Sequence, residues 1–284
     1  MASELDRILG EREYLVAFCP FHEDGGRPNF VIYRRKGICF RCGREAGPEE
    51  VLALFRSGSL RIVERGGGGR SRERDRIEDL ESLVREAFEN LWRGISRPRQ
   101  AYLRDRGLAL GFAQSKGIGH TGAAFLIPIR GPEGELLGAK LRSDPDLGLS
   151  WRYKNWPGTP STVFRPFPSG APTVIVEGEL DALLLAQWGI DAIAPSTGAW
   201  SLLSLPLPTK RRVFLLLDWD EVGREVGRKL EKKGKGILVP EPFDWEGEKD
   251  IGEYLSRKPE EKRYDALLAL LHRSALESPV PRES

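Results

Sequence analysis

Two sets of side chains in this sequence have the types and spacing of metal ligands. The first is Cys19, His22, Cys39 and Cys42, which together use all three cysteines and one of the three histidines. The layout is C-x2-H, sixteen residues, then C-x2-C. Two close pairs separated by a hairpin-length span can place four ligands tetrahedrally around zinc. A two-residue gap lets both members of a pair turn onto one ion. Three cysteines cannot close a disulfide framework, because one is always left over. A site with four protein ligands has no open position, so the expected zinc is structural. A unit of this size has a small core, and a metal would supply much of its folding energy.

The second set is acidic. Glu177 ends the apolar run TVIV, Asp218 ends VFLLL, and Asp220 follows in DWDEVG. Carboxylates brought together repel one another unless a cation neutralises them, and hard oxygen ligands suit Mg2+ or Mn2+. Asp250, in EKDIGEYL, and Asp181, one helical turn after Glu177, are further candidate ligands. Taken singly, Glu177 could instead complement a helix dipole, and the 218/220 pair could be a solvated turn.

The elements that must position these groups are legible as periodicities. TVIVE reads as a buried strand, LDALLLAQW as a helix and DAIAP as a strand. VFLLLD is again a strand, EVGREVGRKLEKK a helix and GILV a strand. Strands alternating with helices imply a parallel sheet with crossovers, and ligands gather at the carboxyl ends of such strands. The expected fold class is therefore α/β, with a Rossmann-like parallel sheet over residues 171–256. PNFVIYRRKGICF, between the two cysteine-containing pairs, alternates as β-strands would. Phe30, Tyr33 and Phe40 are interleaved there with Arg34, Arg35 and Arg41. They could stack bases and contact phosphates, or the rings could be core and the arginines solvated. Leu80, Leu83, Val84, Ala87, Phe88, Leu91 and Trp92 form one apolar helical face, and residues 123–142 carry a hairpin signal.

Five segments follow. Residues 1–56 form a small β-rich zinc unit and 57–76, with four consecutive glycines and six arginines, a flexible basic linker. Residues 77–170 form an α+β unit, 171–256 the parallel-sheet unit, and 257–284 a helix and tail that packs on the core or docks a partner. The 284 residues carry 44 basic and 42 acidic side chains, a net charge of +2. That average hides a basic stretch, 56–170, with a balance of +7, beside 171–256, with a balance of −5. A polyanion held next to a cation site would have this distribution. No apolar run approaches the roughly 20 residues of a membrane span, and MASELDRILG has no apolar signal region. A cytoplasmic protein without membrane partners is the expectation.

CPFH, CFRCG and VLALF resemble the zinc-binding domain of bacterial and phage DNA primases. VIVEGELDALLLAQWGIDAIAPSTGAW with LLLDWDEVG resembles the TOPRIM domain of those primases, which type IA and II topoisomerases and several nucleases share. AYLRDRGL, FLIPIRGPEGELLGAKLR and WRYKNWPGTPSTVF are similar to the subdomain that precedes TOPRIM in the primase polymerase core. The resemblance covers residues 14–256, in the family's order. It implies that Cys19, His22, Cys39 and Cys42 bind zinc. It also implies that Glu177, Asp218 and Asp220 are the catalytic carboxylates binding magnesium or manganese, joined by Asp181 and Asp250. Gly198 falls on the family's loop glycine. Arg142 and Arg152, with Lys140 and Lys154 as looser matches, fall on basic positions that face template and nucleotide. Two positions depart from the pattern: the common DGD is DWD, with Trp219 for glycine, and DPD is DIG, which keeps only Asp250. The resemblance implies a nucleotidyltransferase that makes short primers on single-stranded DNA from nucleoside triphosphates, beside a separate replicative helicase. A metal-dependent nuclease and a non-catalytic single-stranded DNA-binding module are the other readings that the residues permit.

Overall fold

The structure is a computed structural model that describes residues 4–10, 12, 14–22, 28–63, 69–93, 97–169, 173–207 and 213–277. The chain divides into two compact units. The first comprises residues 1–96, 118–128 and 138–158, and the second 97–117, 129–137 and 159–284.

The first unit begins with α1 (Glu4–Leu9), β1 (Leu15–Ala17), β2 (Phe30–Tyr33), β3 (Lys36–Cys39), β4 (Glu45–Ala46) and α2 (Pro48–Arg56). The strands pair in sequence order as an antiparallel sheet, with Phe30 opposite Cys39. Pro48 stands in the first turn of α2, where its missing N–H costs nothing. The core gathers Leu5, Leu9, Phe30, Ile32, Val51 and Leu52. Phe30 and Phe40 are buried, so these two rings are core and not available to stack bases. Arg34 pairs with Asp6 at 2.7 Å and Arg41 with Glu86 at 3.8 Å. The segment expected as a linker is not uniform. Leu60 is buried in this core and Ile62 bridges Ala17, whereas residues 64–68 lie outside the described residues. From Gly69 the chain is already helical, as α3 (Gly69–Trp92).

Next come α4 (Arg97–Asp105), α5 (Leu110–Ser115), β5 (Gly119–His120), β6 (Ala124–Arg130), β7 (Leu136–Ser143) and β8 (Tyr153–Asn155). The four strands form one sheet in sequence order, and β6 and β7 are the hairpin expected over 123–142. A buried pair holds one end of it: His120 Nε2 lies 3.0 Å from Asp144 Oδ2.

The second unit is the α/β layer. Its strands are β9 (Val163–Phe164), β10 (Val174–Ile175), β11 (Ala192–Pro195), β12 (Phe214–Leu215) and β13 (Ile237–Leu238). Its helices are α4, α5, α6 (Glu179–Ala186), α7 (Glu221–Lys232), α8 (Ile251–Ser256) and α9 (Glu260–Glu277). The sheet order is β13-β12-β10-β11-β9; the first four strands are parallel and β9 closes the edge antiparallel. The alternation read from residue 173 onward is thus the observed sheet. β9 and the α4–α5 pair come from the stretch 77–170 but fold into this second unit. Ile175, Ile193, Leu215 and Leu217 pack with Val226 and Leu230 of α7, and α6 is buried along its whole length. In α9, Leu267, Leu270 and Leu271 are buried, while Leu268 is 40% exposed. The tail beyond residue 277 lies outside the described residues. No described helix is long and apolar enough to cross a membrane.

Leu215 is fully buried at the centre of this layer. Leu215→Ala is expected to lower unfolding stability by about 2–5 kcal/mol, read from the urea midpoint. A change under about 0.5 kcal/mol would show that this layer is not the structural core.

Candidate metal centre and carboxylate site

Cys19 follows β1, Cys39 ends β3, and Cys42 sits in the turn to β4. Gly43, with a φ of 76°, makes that turn, and its amide donates to the Cys39 carbonyl at 2.9 Å. The amides of Arg41 and Cys42 both point at Cys39 Sγ, at 3.4 Å each. Cys19 Sγ lies 3.9 Å from Cys42 Sγ, and Cys39 Sγ lies 3.9 Å from His22 Nδ1. All four ligand atoms fall within 4.8 Å of one another. A tetrahedral ion with bonds of about 2.3 Å to sulfur would separate its ligands by about 3.8 Å, so the cage has the size of a zinc site. The neighbouring Cys19 and Cys42 sulfurs, reinforced by burial, push the Cys39 thiol far up. A divalent cation would remove that penalty.

The carboxylates are placed by the sheet. Glu177 lies two residues beyond β10, Asp218 three beyond β12, and both strands run parallel, so both acids emerge at the same end. Glu177 Oε1 accepts the Asp218 amide at 3.2 Å. Asp220 caps α7, its Oδ1 accepting the Gly223 amide at 2.9 Å. Gly223 makes this approach possible, since a Cβ there would meet the Asp218 carbonyl at 2.1 Å and Glu177 Oε1 at 2.5 Å. Trp219 keeps an ordinary backbone, because no described non-glycine residue has a positive φ. Its ring is buried edge-on against Tyr254 of α8, at 6.0 Å, and its amide donates to the Lys249 carbonyl at 2.7 Å. That bond draws Lys249 to the site. Its ammonium lies 2.7 Å from Asp218 Oδ2 and 3.4 Å from Asp220 Oδ2.

Asp181 and Asp250 meet a different cation, although the Asp218 charge still acts on Asp181 and the Asp250 charge on Asp218. Asp181 is buried on α6, and Asp250 caps α8 by accepting the Glu253 amide at 2.8 Å. Both face Arg106, at 3.7 and 4.0 Å. Burial, and then the Asp250 carboxylate, raises Asp181 well above the usual carboxylate range. Burial is also the main cause that raises Asp218, against the pull of Lys249. Lys249, Arg106 and Gly223 complete the site beyond the residues that spacing singles out. Their signals in the sequence are adjacency: Lys249 directly precedes Asp250, Arg106 lies within YLRDRGL, and Gly223 ends DWDEVG. Gly198, the expected loop glycine, has a φ of 94° and leads into the turn Ala199–Leu203.

The four basic candidates are not gathered on one surface. Arg142 pairs in register with Tyr153, Lys140 with Asn155, and Leu141 with Lys154. Side chains alternate across a strand, so Lys140 and Arg142 share one face and Lys154 points from the other. Lys154 forms an ion pair with Glu45, and burial draws its ammonium down to about 8. Arg142 donates to the Ser143 carbonyl at 2.9 Å, and both Arg142 and Arg152 lie against the Tyr153 ring, at 5.2 and 5.6 Å. Lys140 is buried and Arg152 exposed.

Burial, then Asp218, pushes Glu177 up to about 8 from its ordinary 4.5. A raised acid is most compatible with the fold while protonated. Its contribution is full below 4.5 and is lost as pH rises to about 8. In buffer without divalent ions, Glu177→Gln should therefore match the parent near pH 4.5 and exceed it in stability above pH 8. Urea midpoints taken across that range check this, and parallel curves for the two proteins would refute it.

No protein-family model and no curated protein matches the sequence. Solved structures do match. The zinc-binding and RNA polymerase domains of the Aquifex aeolicus primase match with a TM-score of 0.52 at 18% identity, covering 95% of this chain and 86% of that one. The RNA polymerase domain of the Mycobacterium tuberculosis primase matches with a TM-score of 0.52 at 19% identity, covering 76% and 90%. A primase domain from Pseudomonas aeruginosa matches with a TM-score of 0.50 at 20% identity, covering 70% and 78%. The chain has the fold of the zinc-binding and RNA polymerase domains of bacterial primases.

Proposed function

We propose that the protein is a primase, a nucleotidyltransferase that joins nucleoside triphosphates into short oligonucleotides on a single-stranded DNA template. The observation that carries this reading is the convergence of Glu177 and Asp218 at one end of a parallel sheet that has the primase fold, with Asp220 at the start of the next helix. A similar solved structure, 17% identical, is a primase catalytic domain bound to single-stranded DNA.

Glu177, Asp218 and Asp220 would hold Mg2+ or Mn2+. When bound, such an ion would supply positive charge to the triphosphate and to the attacking hydroxyl. Phosphoryl transfer asks the protein mainly for positioning and electrostatics. With a cation's charge beside it Glu177 would be ionised, and it would then serve as a ligand or take the proton of the attacking hydroxyl. Arg142 and Arg152, with Tyr153 between them, would meet phosphate or base of the incoming strand or nucleotide. Lys140, on the Arg142 face, would support that surface, whereas Lys154 would meet nucleic acid only on the opposite face and once released from Glu45. Cys19, His22, Cys39 and Cys42 would bind one structural Zn2+ and stabilise the small sheet that contacts template.

Incubated with single-stranded DNA, labelled nucleoside triphosphates and Mg2+, the protein should yield short oligonucleotides. Asp218→Ala should reduce the yield by roughly a hundredfold or more. A complete lack of product on varied templates would overturn the reading, and cleavage of the DNA without triphosphates would replace it with a nuclease. Cys39→Ser should lose the zinc that the parent carries, read by metal analysis of the purified protein, and should melt at a lower temperature. Equal metal content in the two would overturn the zinc assignment.

A further inference from the structure

Arg106 follows α4, and its guanidinium reaches two further acids beside the Glu177 cluster. Its Nη2 is 3.7 Å from Asp181 Oδ1 and 4.0 Å from Asp250 Oδ2. The three side chains are 18%, 8% and 7% exposed. Arg106 is held there by α6, the helix that carries Asp181. At the end of that helix, Gln187 donates to the Gly107 carbonyl at 2.8 Å and accepts the Ala109 amide at 2.9 Å. Gly252 packs so closely on all three that a side chain at this position could not add a ligand. A Cβ there would lie 2.7 Å from Asp181 Oδ1 and 3.2 Å from both Asp250 Oδ1 and Arg106 Nη2. The DIG departure is therefore built into the packing. Two buried acids thus flank one buried guanidinium, which offsets part of their charge in place.

We propose that Arg106 is a resident cation that occupies the place of a second divalent ion, so that Asp181 and Asp250 anchor a guanidinium and do not ligate metal. Only Glu177, Asp218 and Asp220 then remain for a diffusible ion. A divalent cation beside Arg106 would meet a fixed positive charge at low dielectric, which opposes its binding. Asp250 keeps a second task, capping α8, which asparagine also performs well.

The inference rests on the metal reading of the three remaining carboxylates, and the test separates the two. Zinc-loaded, full-length protein is titrated with Mn2+ and the free ion read by electron paramagnetic resonance. One Mn2+ is expected at the carboxylate site, absent in Asp218→Asn and bound within about threefold of the parent affinity in Asp250→Asn. A loss of about tenfold or more in Asp250→Asn, the size expected on disturbing a ligand shell, would overturn the proposal. So would a second Mn2+ in the parent that Asp250→Asn removes. If the parent binds no Mn2+, the metal reading fails, and melting decides the role of Arg106. Arg106→Met should melt lower than the parent, and Arg106→Met with Asp250→Asn should recover part of that loss, because one uncompensated buried charge is gone. A double variant that melts below Arg106→Met would overturn the resident-cation role. Should Arg106→Met not fold, Arg106→Lys takes its place: its melting deficit should shrink when Asp250→Asn is added, and a deficit that deepens would overturn the proposal.

Discussion

Five carboxylates, those of Glu177, Asp181, Asp218, Asp220 and Asp250, crowd the carboxyl end of the parallel sheet, and their mutual repulsion must be met by positive charge. Burial makes the demand stronger, because desolvation disfavours every ionised acid. The chain answers with two cations of its own. Lys249 lies between Asp218 and Asp220, and Arg106 between Asp181 and Asp250. Each arrives from a different stretch of sequence, so the site holds only when the α4 segment, the ends of β10 and β12, α6 and α8 are all in place.

Packing delivers these charges. Trp219 is the clearest case. Its ring fills the space against Tyr254, and its backbone amide pulls the Lys249 carbonyl inward. One residue therefore couples the turn that carries Asp218 and Asp220 to the turn that carries Asp250. Gly223 does the opposite job by subtraction, since only a missing Cβ lets Glu177 and the Asp218 backbone rest on the first turn of α7. Gln187 plays a similar part for Arg106 through its paired hydrogen bonds to the loop after α4.

The first unit meets an analogous constraint with sulfur. Three thiols in contact cannot all ionise without a cation, and the small sheet around them has a limited core. Aromatic residues are drawn inward there. Phe21 packs edge-on against Phe30, and Phe40 lies 5.2 Å from Trp156. Glu45, on the same small sheet, holds Lys154 of β8, so a lysine expected to face nucleic acid is instead engaged within the unit.

Periodicity alone placed the parallel strands, their helices and the β6–β7 hairpin, because burial on one or two faces imposes a repeat that any short window displays. Spacing alone brought out the Cys/His set and the acids at strand ends, since ligand pairs close in sequence must be close in space. What no window could display was decided by contacts between distant segments. Residues 97–117 and 159–164 join the second unit although they precede its first central strand. Among the five candidate acids Asp218 and Asp220 pair with Lys249, Asp181 and Asp250 with Arg106, and Glu177 holds the Asp218 amide. The strand register turns Lys154 away from Arg142. Local sequence sets a residue's type and its place in an element. Charge pairing and close packing act across some 40 to 140 residues of chain here, as between Glu177 and Asp218 or Arg106 and Asp250, and they exist only once the sheet has assembled.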